Sequence, residues 1–598
     1  MFGKRQMNHR TARGGAVCRT PSPLRPGQTS LAALGWLALA FATAPAAAQQ
    51  SSNQPGFDPR QTERQFDARQ AEQLRASHAP LRLPRLNYTE APVDSTKLID
   101  LRAVLVSGAR TIASEQIARV YQPFLGKKIS QADLATIATA ISDLYREAGY
   151  HLSRAIVPPQ DIRAGRVRVK VIEGSISEVA LKGDADRFGV RPMLNPVLTE
   201  RPSRLTTLER QLLLINDRPG VRIVDSALEE IGVATGNFRL IVDLKTWPIY
   251  TSFGLDNLGS SAVGPWQTYA TAAFNSYLMP GDTMVGNFST IATDPRELAF
   301  GRVAYDVPVG TDGVQLGATA LYSDVRPGDD RSLNNTHTRT DSYELRGSMV
   351  PLRSQRSTLT LTAAAGFSDV SESDLSGAIY NDHIRTISVT ADYRLQDHFG
   401  GTNYLTLTER QGLDILGASH LGDDFLSRDG ASGKFSVLGL WFTRYQTLSD
   451  AWSLKISAAS QFASTVLLTS QQFYLGGAAF GRGYGSAEIS GDNGIAGSLE
   501  LRFDHLLDYA HLKGYQLYGF VDSGAAWNSG YNLADGLSLT SVGAGVRFDL
   551  GGELRAGIAV AVPLSYRAPD NESRNARLLF SLSNAFRLCP ENVQMRCL

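Results

Sequence analysis

Few of the residue patterns that do chemistry occur in this chain. None of its nine histidines stands in an H-E-x-x-H helix, and there is no Gly-x-Ser-x-Gly elbow. Gly481-Arg482-Gly483-Tyr484-Gly485 is glycine-rich enough to suggest a phosphate loop, but the P-loop lysine and the following helix are missing. Of three cysteines, Cys18 lies in the N-terminal leader, while Cys589 and Cys597 stand close together at the C-terminus. They could close a small disulfide loop in an oxidising compartment, and a cysteine-only pair is a weak metal signal. No cofactor or metal and no catalysis is expected. What the chain does place conspicuously is charge beside glycine. Arg482 sits between Gly481 and Gly483 at a loop tip, and Asp522 lies in an alternating strand that contains Gly519, Phe520 and Gly524.

Composition narrows the class. The chain has 598 residues, with 59 Lys+Arg against 58 Asp+Glu, a formal charge of +1. That balance argues against nucleic acid as a partner, which usually shows as a basic excess. With 43% hydrophobic and 20% charged residues the chain is too apolar for disorder. Lys4, Arg5, Arg10, Arg13, Arg19 and Arg25 lead into an apolar run over 31–41, then Ala46-Ala47-Ala48. This predicts a signal peptide over 1–48, with Met1 or Met7 as the start. No later segment reaches the roughly 18 continuous apolar residues of a membrane helix. The mature chain is expected in the secreted space, the periplasm, or a β-barrel.

Residues 49–97 read as a leader, a helix and a linker. Asp58-Pro59 is an N-cap followed by a first helical residue, opening a helix to residue 76 whose only large apolar side chains are Phe66 and Leu74. Such a helix is either solvated or seated in a wet cavity. Pro80, Pro84 and Pro92 make 79–92 an extended linker. The chain then repeats. An offset of 71 carries Leu134, Ile137, Ile141 and Leu144 onto Leu205, Leu208, Leu212 and Ile215, one helical face in each copy. The same offset carries Val167, Val169 and Val171 onto Phe238, Leu240 and Val242, an alternating strand in each. Both copies read strand, helix, helix, strand, strand. Ser130 and Asp133 form a capping signature for the longer helix of the first copy, and Gly149 ends it. Two α+β domains, 98–174 and 175–246, follow.

Past Lys245 the period becomes two. Val303, Tyr305, Val307 and Val309 alternate with Arg302, Ala304 and Asp306; a Gly310-to-Gly313 turn leads to Val314, Leu316, Ala318, Ala320 and Tyr322. A polar stretch over 323–342 is expected as a long loop. Short turns at one end and long polar loops at the other are the asymmetry of outer-membrane barrels. At about ten residues per strand plus connections, 247–586 holds roughly 14 to 18 strands. The last strand is expected to end on Phe586, leaving a tail over 587–598. The alternative is a soluble β-sandwich.

The first copy resembles the POTRA domain of two-partner-secretion transporters, the family typified by haemolysin and filamentous-haemagglutinin exporters. The resemblance is carried by Tyr145, Gly149-Tyr150, Pro159-Gln160-Asp161, Gly165 and Glu173-Gly174. Residues 473–494 resemble the inward-folded loop of the POTRA-plus-barrel superfamily, with Gly476, Gly477 and a tip of Gly481, Arg482, Gly483 and Tyr484, where the usual apolar residue before Arg is Gly. Gly519-Phe520-Val521-Asp522-Ser523-Gly524 resembles the wall motif whose Asp pairs with that Arg. The likeness spans roughly 58–586.

The resemblance implies a transmembrane antiparallel β-barrel of about 16 strands, two α+β POTRA domains in the periplasm and an N-terminal plug helix inside the pore. It implies an outer-membrane location in a Gram-negative bacterium and a monomeric barrel in lipid. Its partner would be a secreted adhesin-like or haemolysin-like exoprotein, exported unfolded without cofactor, metal or nucleic acid. A barrel-insertion factor, or a passive porin or receptor, are the alternative functions. Cargo is expected to dock by strand addition. The expected edge is Leu152, Ser153, Arg154, Ala155, Ile156 and Val157, which Pro158 and Pro159 keep from pairing along its whole length. An ordinary hairpin packed on its own helices is the alternative there.

Overall fold

The computed structural model describes residues 95–588 except 163, 261, 508, 510, 531–535 and 566–574, together with Thr62, Glu63, Phe66, Leu83 and Pro84 ahead of them. The expected signal peptide, most of the 58–76 helix and 79–92 linker, and Cys589 and Cys597 lie outside the described residues.

The first α+β unit contains β1 (Lys97–Asp100), β2 (Ala103–Ser107), α1 (Ser114–Tyr121), β3 (Lys128–Ser130), α2 (Gln131–Glu147), β4 (Arg154–Ile156) and β5 (Arg166–Ile172). β5 is the middle strand, parallel to β2 and antiparallel to β4, and β1 pairs separately with β3. A full capping box starts α2. The Ser130 side chain accepts from the Asp133 N–H, while the Asp133 carboxylate accepts from the Ser130 N–H. Its buried face of Leu134, Ile137, Ile141 and Tyr145 covers Val167, Val169 and Val171. Tyr145 therefore joins a stripe that the period alone assigns to Leu144, which is only partly buried.

The second unit repeats this plan with β6 (Ser175–Lys182), α3 (Asn195–Thr199), α4 (Leu205–Asn216), β7 (Val221–Glu230) and β8 (Asn237–Thr246). Its last strand again lies in the middle, parallel to β6 and antiparallel to β7. Leu208, Leu212 and Ile215 of α4 pack on Phe238, Leu240 and Val242.

The remaining chain is an antiparallel meander. Its strands are β9 (Ile249–Asp256), β10 (Gln267–Asn275), β11 (Thr283–Ile291), β12 (Leu298–Val309), β13 (Val314–Val325) and β14 (His337–Arg353). There follow β15 (Ser357–Asp374), β16 (Gly377–Gln396), β17 (Gly401–Gly412), β18 (Ser436–Thr447) and β19 (Trp452–Ala463). After a short pair, β20 (Phe473–Leu475) and β21 (Ile489–Gly491), come β22 (Asn493–Leu506), β23 (Gly514–Trp527), β24 (Leu537–Asp549), β25 (Arg555–Pro563) and β26 (Arg577–Leu588). Sixteen of these close into a barrel, β26 pairing with β9 from Ser581↔Asp256 to Leu588↔Ile249. Closure removes every free edge. Large apolar side chains such as Val303, Leu345, Val389, Leu440, Val521 and Val560 stand exposed on the outer face. Asn287, Ser457, Glu500, Asp522 and Ser541 are buried on the inner one. Apolar outside and polar inside is the pattern lipid imposes on a barrel. Among the described residues no helix is long and apolar enough to cross a membrane.

Two strand limits differ from expectation. The polar 323–342 stretch is strand at both ends, because β13 runs to Val325 and β14 starts at His337, and the loop is confined to 326–336. β14, β15 and β16 have 17, 18 and 20 residues, far more than the roughly ten that cross a bilayer. Beyond the lipid a strand wets both faces, so polar residues do not end it. β26 likewise continues past Phe586 to Leu588, since Arg587 and Leu588 still pair with Tyr250 and Ile249.

The second unit is tied to one end of the barrel. Arg210 of α4 donates to Asp312 Oδ1 at 2.9 Å in the β12–β13 turn, and Asp217 receives Arg353 Nη2 at 2.7 Å from the last residue of β14.

Candidate functional site

The connection from β19 to β22 folds back against the inner wall. β20 and β21 pair as a short antiparallel stem. Phe473, Leu475, Phe480, Tyr484 and Ile489 pack against Ala459, Ala496, Ala526 and Leu539, all on inward-facing strand positions. Gly476 and Gly477 follow β20 at the head of the stem. Gly524 sits beneath Leu475, and Gly519 is one of the outward positions of β23.

At the tip, Arg482 lies flat against the wall. Its Nε and Nη2 donate to the two oxygens of Asp522 at 2.9 and 2.8 Å, and its backbone N–H donates to the same carboxylate at 3.0 Å. This is the bidentate fork that makes Arg–carboxylate pairs directional. The guanidinium carbon stands 3.4 Å from the Phe520 ring centre, a cation held over an aromatic face. Asp522 is fully buried and Arg482 nearly so. Ser498 completes the shell, donating to Asp522 Oδ1 at 2.7 Å and accepting from Arg482 Nη2 at 3.1 Å.

Glycine makes this approach possible. Gly481 has φ +87°, and a Cβ there would stand 2.5 Å from Leu539. Leu539, fully buried, occupies space that an apolar residue before Arg482 would otherwise use. A Cβ on Gly483 would lie 2.8 Å from Ser541 Cβ and 2.9 Å from Pro563 N, so the backbone itself presses on the wall. Tyr484 then donates its hydroxyl to Thr540 O at 3.0 Å.

One partner was not anticipated. Glu500 on β22, 2% exposed, takes the third arm of Arg482 and also receives Arg502 Nε at 2.8 Å and Arg547 Nη1 at 2.9 Å. Three guanidiniums converge on one carboxylate. The signal was in the sequence: Ser498, Glu500 and Arg502 alternate with the apolar Leu499 and Leu501, and charges at alternate barrel positions face inward.

In the first unit β4 is an edge strand, paired with β5 only through Arg154, Ala155 and Ile156. Leu152 and Ser153 do not belong to this edge, contrary to expectation. Leu152 is 1% exposed in the core of the second unit, and Ser153 Oγ accepts from the Gly174 N–H at 3.2 Å. The chain passes under the second unit before β4 begins, which buries those two residues. Val157 lies just past β4, partly buried against the core of the first unit. At the other flank Arg154 reaches both oxygens of Glu230 at the end of β7, 2.9 and 2.8 Å away.

Glu173 holds the first unit together. It accepts from the N–H groups of Arg110 and Thr111 and from the Tyr145 hydroxyl at 2.8, 2.7 and 2.8 Å. Burial alone would raise its pKa, but these donors outweigh burial and hold it below the usual glutamate range.

Two family models match the chain. One, described as POTRA domain, ShlB-type, covers residues 99–174. The other, described as haemolysin secretion/activation protein ShlB/FhaC/HecB, covers residues 240–548, more than half of the chain. The chain belongs to this family. The heme/hemopexin transporter protein HuxB of Haemophilus influenzae is 25% identical over 495 residues, 79% of this chain and 84% of that one. The outer membrane transporter CdiB of Escherichia coli is 26% identical over 214 residues, 35% of each chain. The solved structure of CdiB from Escherichia coli superposes with a TM-score of 0.69 at 20% identity, covering 90% of this chain and all of that one. CdiB from Acinetobacter baumannii gives a TM-score of 0.62 at 17% identity. This ShlB/FhaC/HecB member is thus an outer-membrane two-partner-secretion transporter with its POTRA portion in the periplasm. The barrel end that carries Asp312 and Arg353 faces the periplasm, and the 413–435 connection faces outward.

Proposed function

We propose that this transporter captures an unfolded exoprotein, adhesin-like or haemolysin-like, on its periplasmic units and passes it through the barrel beside the pinned loop. The observation that carries this reading is β4, a strand whose only ladder partner is β5, in the POTRA unit. Backbone pairing to such an edge binds an extended chain with little demand on its sequence. The repeat of the first unit's topology in 175–246 supports a second POTRA domain. Thr62, Glu63 and Phe66 support a helix inside the lumen. Phe66 stacks on the inward-facing Phe300 at 5.8 Å, and Glu63 stands 3.5 Å from Arg302. The barrel works as a monomer and performs no catalysis.

The test is proline on the edge. In an antiparallel ladder consecutive N–H groups alternate between the partner strand and the free side. With Ser142→Ala as the control that loses only the bond of 2.9 Å from the Ala155 N–H to Ser142 Oγ, the one of Ala155→Pro and Ile156→Pro that removes the outward donor is Ala155→Pro. That variant should lower cargo binding and secretion by about tenfold or more while the barrel still inserts. Full secretion by both variants would remove β4 as the docking edge.

A further inference from the structure

A second ionic knot, well above the Arg482 tip, holds the extracellular end of the barrel. Its centre is Asp492, fully buried at the foot of the inward loop, one residue before β22. The carboxylate accepts from the Arg428 guanidinium, from the Leu467 N–H at 3.1 Å and from the Ser529 N–H at 2.8 Å. Arg428 belongs to the 413–435 connection between β17 and β18. It also donates to Leu467 O at 2.6 Å and to Asn528 Oδ1 at 3.1 Å. The preceding residue works the other way. Ser427 N–H donates to the buried Asp382 of β16 at 3.0 Å, and Ser427 Oγ accepts from the Thr469 N–H at 3.0 Å. Two consecutive residues thus join β16 to the outer connections that follow β17, β19 and β23.

What they join packs on the inward face of the neighbouring strands β16 to β19. Ile384 of β16 and Val437 of β18 face inward, and Phe435, Ala431, Leu467 and Leu468 from the connections close over them in one buried cluster. From below, Arg410 of β17 and Gln461 of β19 both bond to Gln471, at 3.3 and 3.0 Å. An apolar plug with a single ion pair at its hub has few stable half-open states, because separating the pair strands a buried charge.

We propose that Ser427, Arg428 and Asp492 form the latch of an extracellular lid that closes the exit of the resting pore and opens as one piece. This rests on the barrel acting as a pore and not on the docking edge, so loss of one leaves the other intact. Full-length protein in planar bilayers with potassium chloride provides the test. Arg428→Ala should raise mean single-channel conductance about twofold or more, and cells carrying it should become several-fold more sensitive to vancomycin. A complementary variant joins Ser427→Cys to Thr469→Cys, in a chain with Cys589→Ser and Cys597→Ser. When oxidised it should lose the opening events of the parent, and a reductant should restore them. If Arg428→Ala runs as a folded, heat-modifiable barrel yet keeps parental conductance and vancomycin exclusion, the latch is wrong. Unchanged openings in the fully oxidised cysteine pair would overturn it as well, and that arm decides alone should Arg428→Ala not fold.

Discussion

At the scale of single residues the donors of Arg482 are divided between two buried carboxylates. Asp522 relies on Arg482 and Ser498, whereas Glu500 keeps Arg502 and Arg547 when Arg482 is lost. Removing Arg482 thus strands chiefly Asp522, and leaving a buried charge without its ionic partner costs about 3–5 kcal/mol. Arg482→Ala and Asp522→Ala should each cut secretion by about tenfold or more while the barrel inserts. The double variant should be no worse than the poorer single one, since both remove the same fork. Additive losses in that cycle would show that the two residues act separately. Arg482→Lys keeps the charge but loses the fork and the stacking on Phe520, and an intermediate defect is expected.

Among the elements, the joint between α2 and β4 is where acid should act first. His151 follows Tyr150 in this joint, and neither ring nitrogen has a hydrogen-bond partner among the described residues. Burial pushes its pKa down from 6.5 to about 4. A folded state that refuses a proton the unfolded chain accepts loses stability as pH falls from 6.5 towards 4. The loss reaches at most about 3 kcal/mol. Glu173 acts lower. Its pKa is depressed by folding, so its contribution is present above the ordinary glutamate value of 4.5 and drains away below it. Thermal unfolding of the periplasmic units in the full-length protein should therefore fall in two steps. His151→Leu should erase the step between pH 6.5 and 4, and Glu173→Gln should weaken the protein at neutral pH. A His151→Leu profile that matches the parent would exclude His151 as the source.

For the whole molecule, the decisive relation is between the N-terminal segment and the lumen. Phe66 lies in one buried cluster with Tyr269, Phe300, Leu298 and Leu321, all inward-facing on β10, β12 and β13. If the segment is the proposed plug, its described ion pair to Arg302 should hold it only weakly, since such partly exposed pairs contribute about 1 kcal/mol or less. Deleting 49–78 should raise single-channel conductance while secretion largely survives. Unchanged conductance would place the segment outside the current path. At the periplasmic end, Arg210 and Arg353 hold α4 to two barrel turns.

Periodicity determined much of this from the sequence alone, because burial on one face writes itself into every third or second residue. The 71-residue offset set out both α+β units before any contact was known, and the Val303 and Val314 runs set out a hairpin with its Gly310-to-Gly313 turn. Glycine spacing and a known motif pointed to Arg482 and Asp522. Tertiary structure alone decided the rest. Glu500 entered the site because strand register sets it beside Phe520, and register is not written in any one strand. Leu152 and Ser153 left the docking edge because a neighbouring unit covers them, which no local pattern can signal. Ser427 and Arg428 on the connection after β17 meet Asp492 on the connection after β19 and Asn528 and Ser529 on the connection after β23. They come together only because strand pairing sets β16 to β23 side by side and so gathers connections far apart in the sequence.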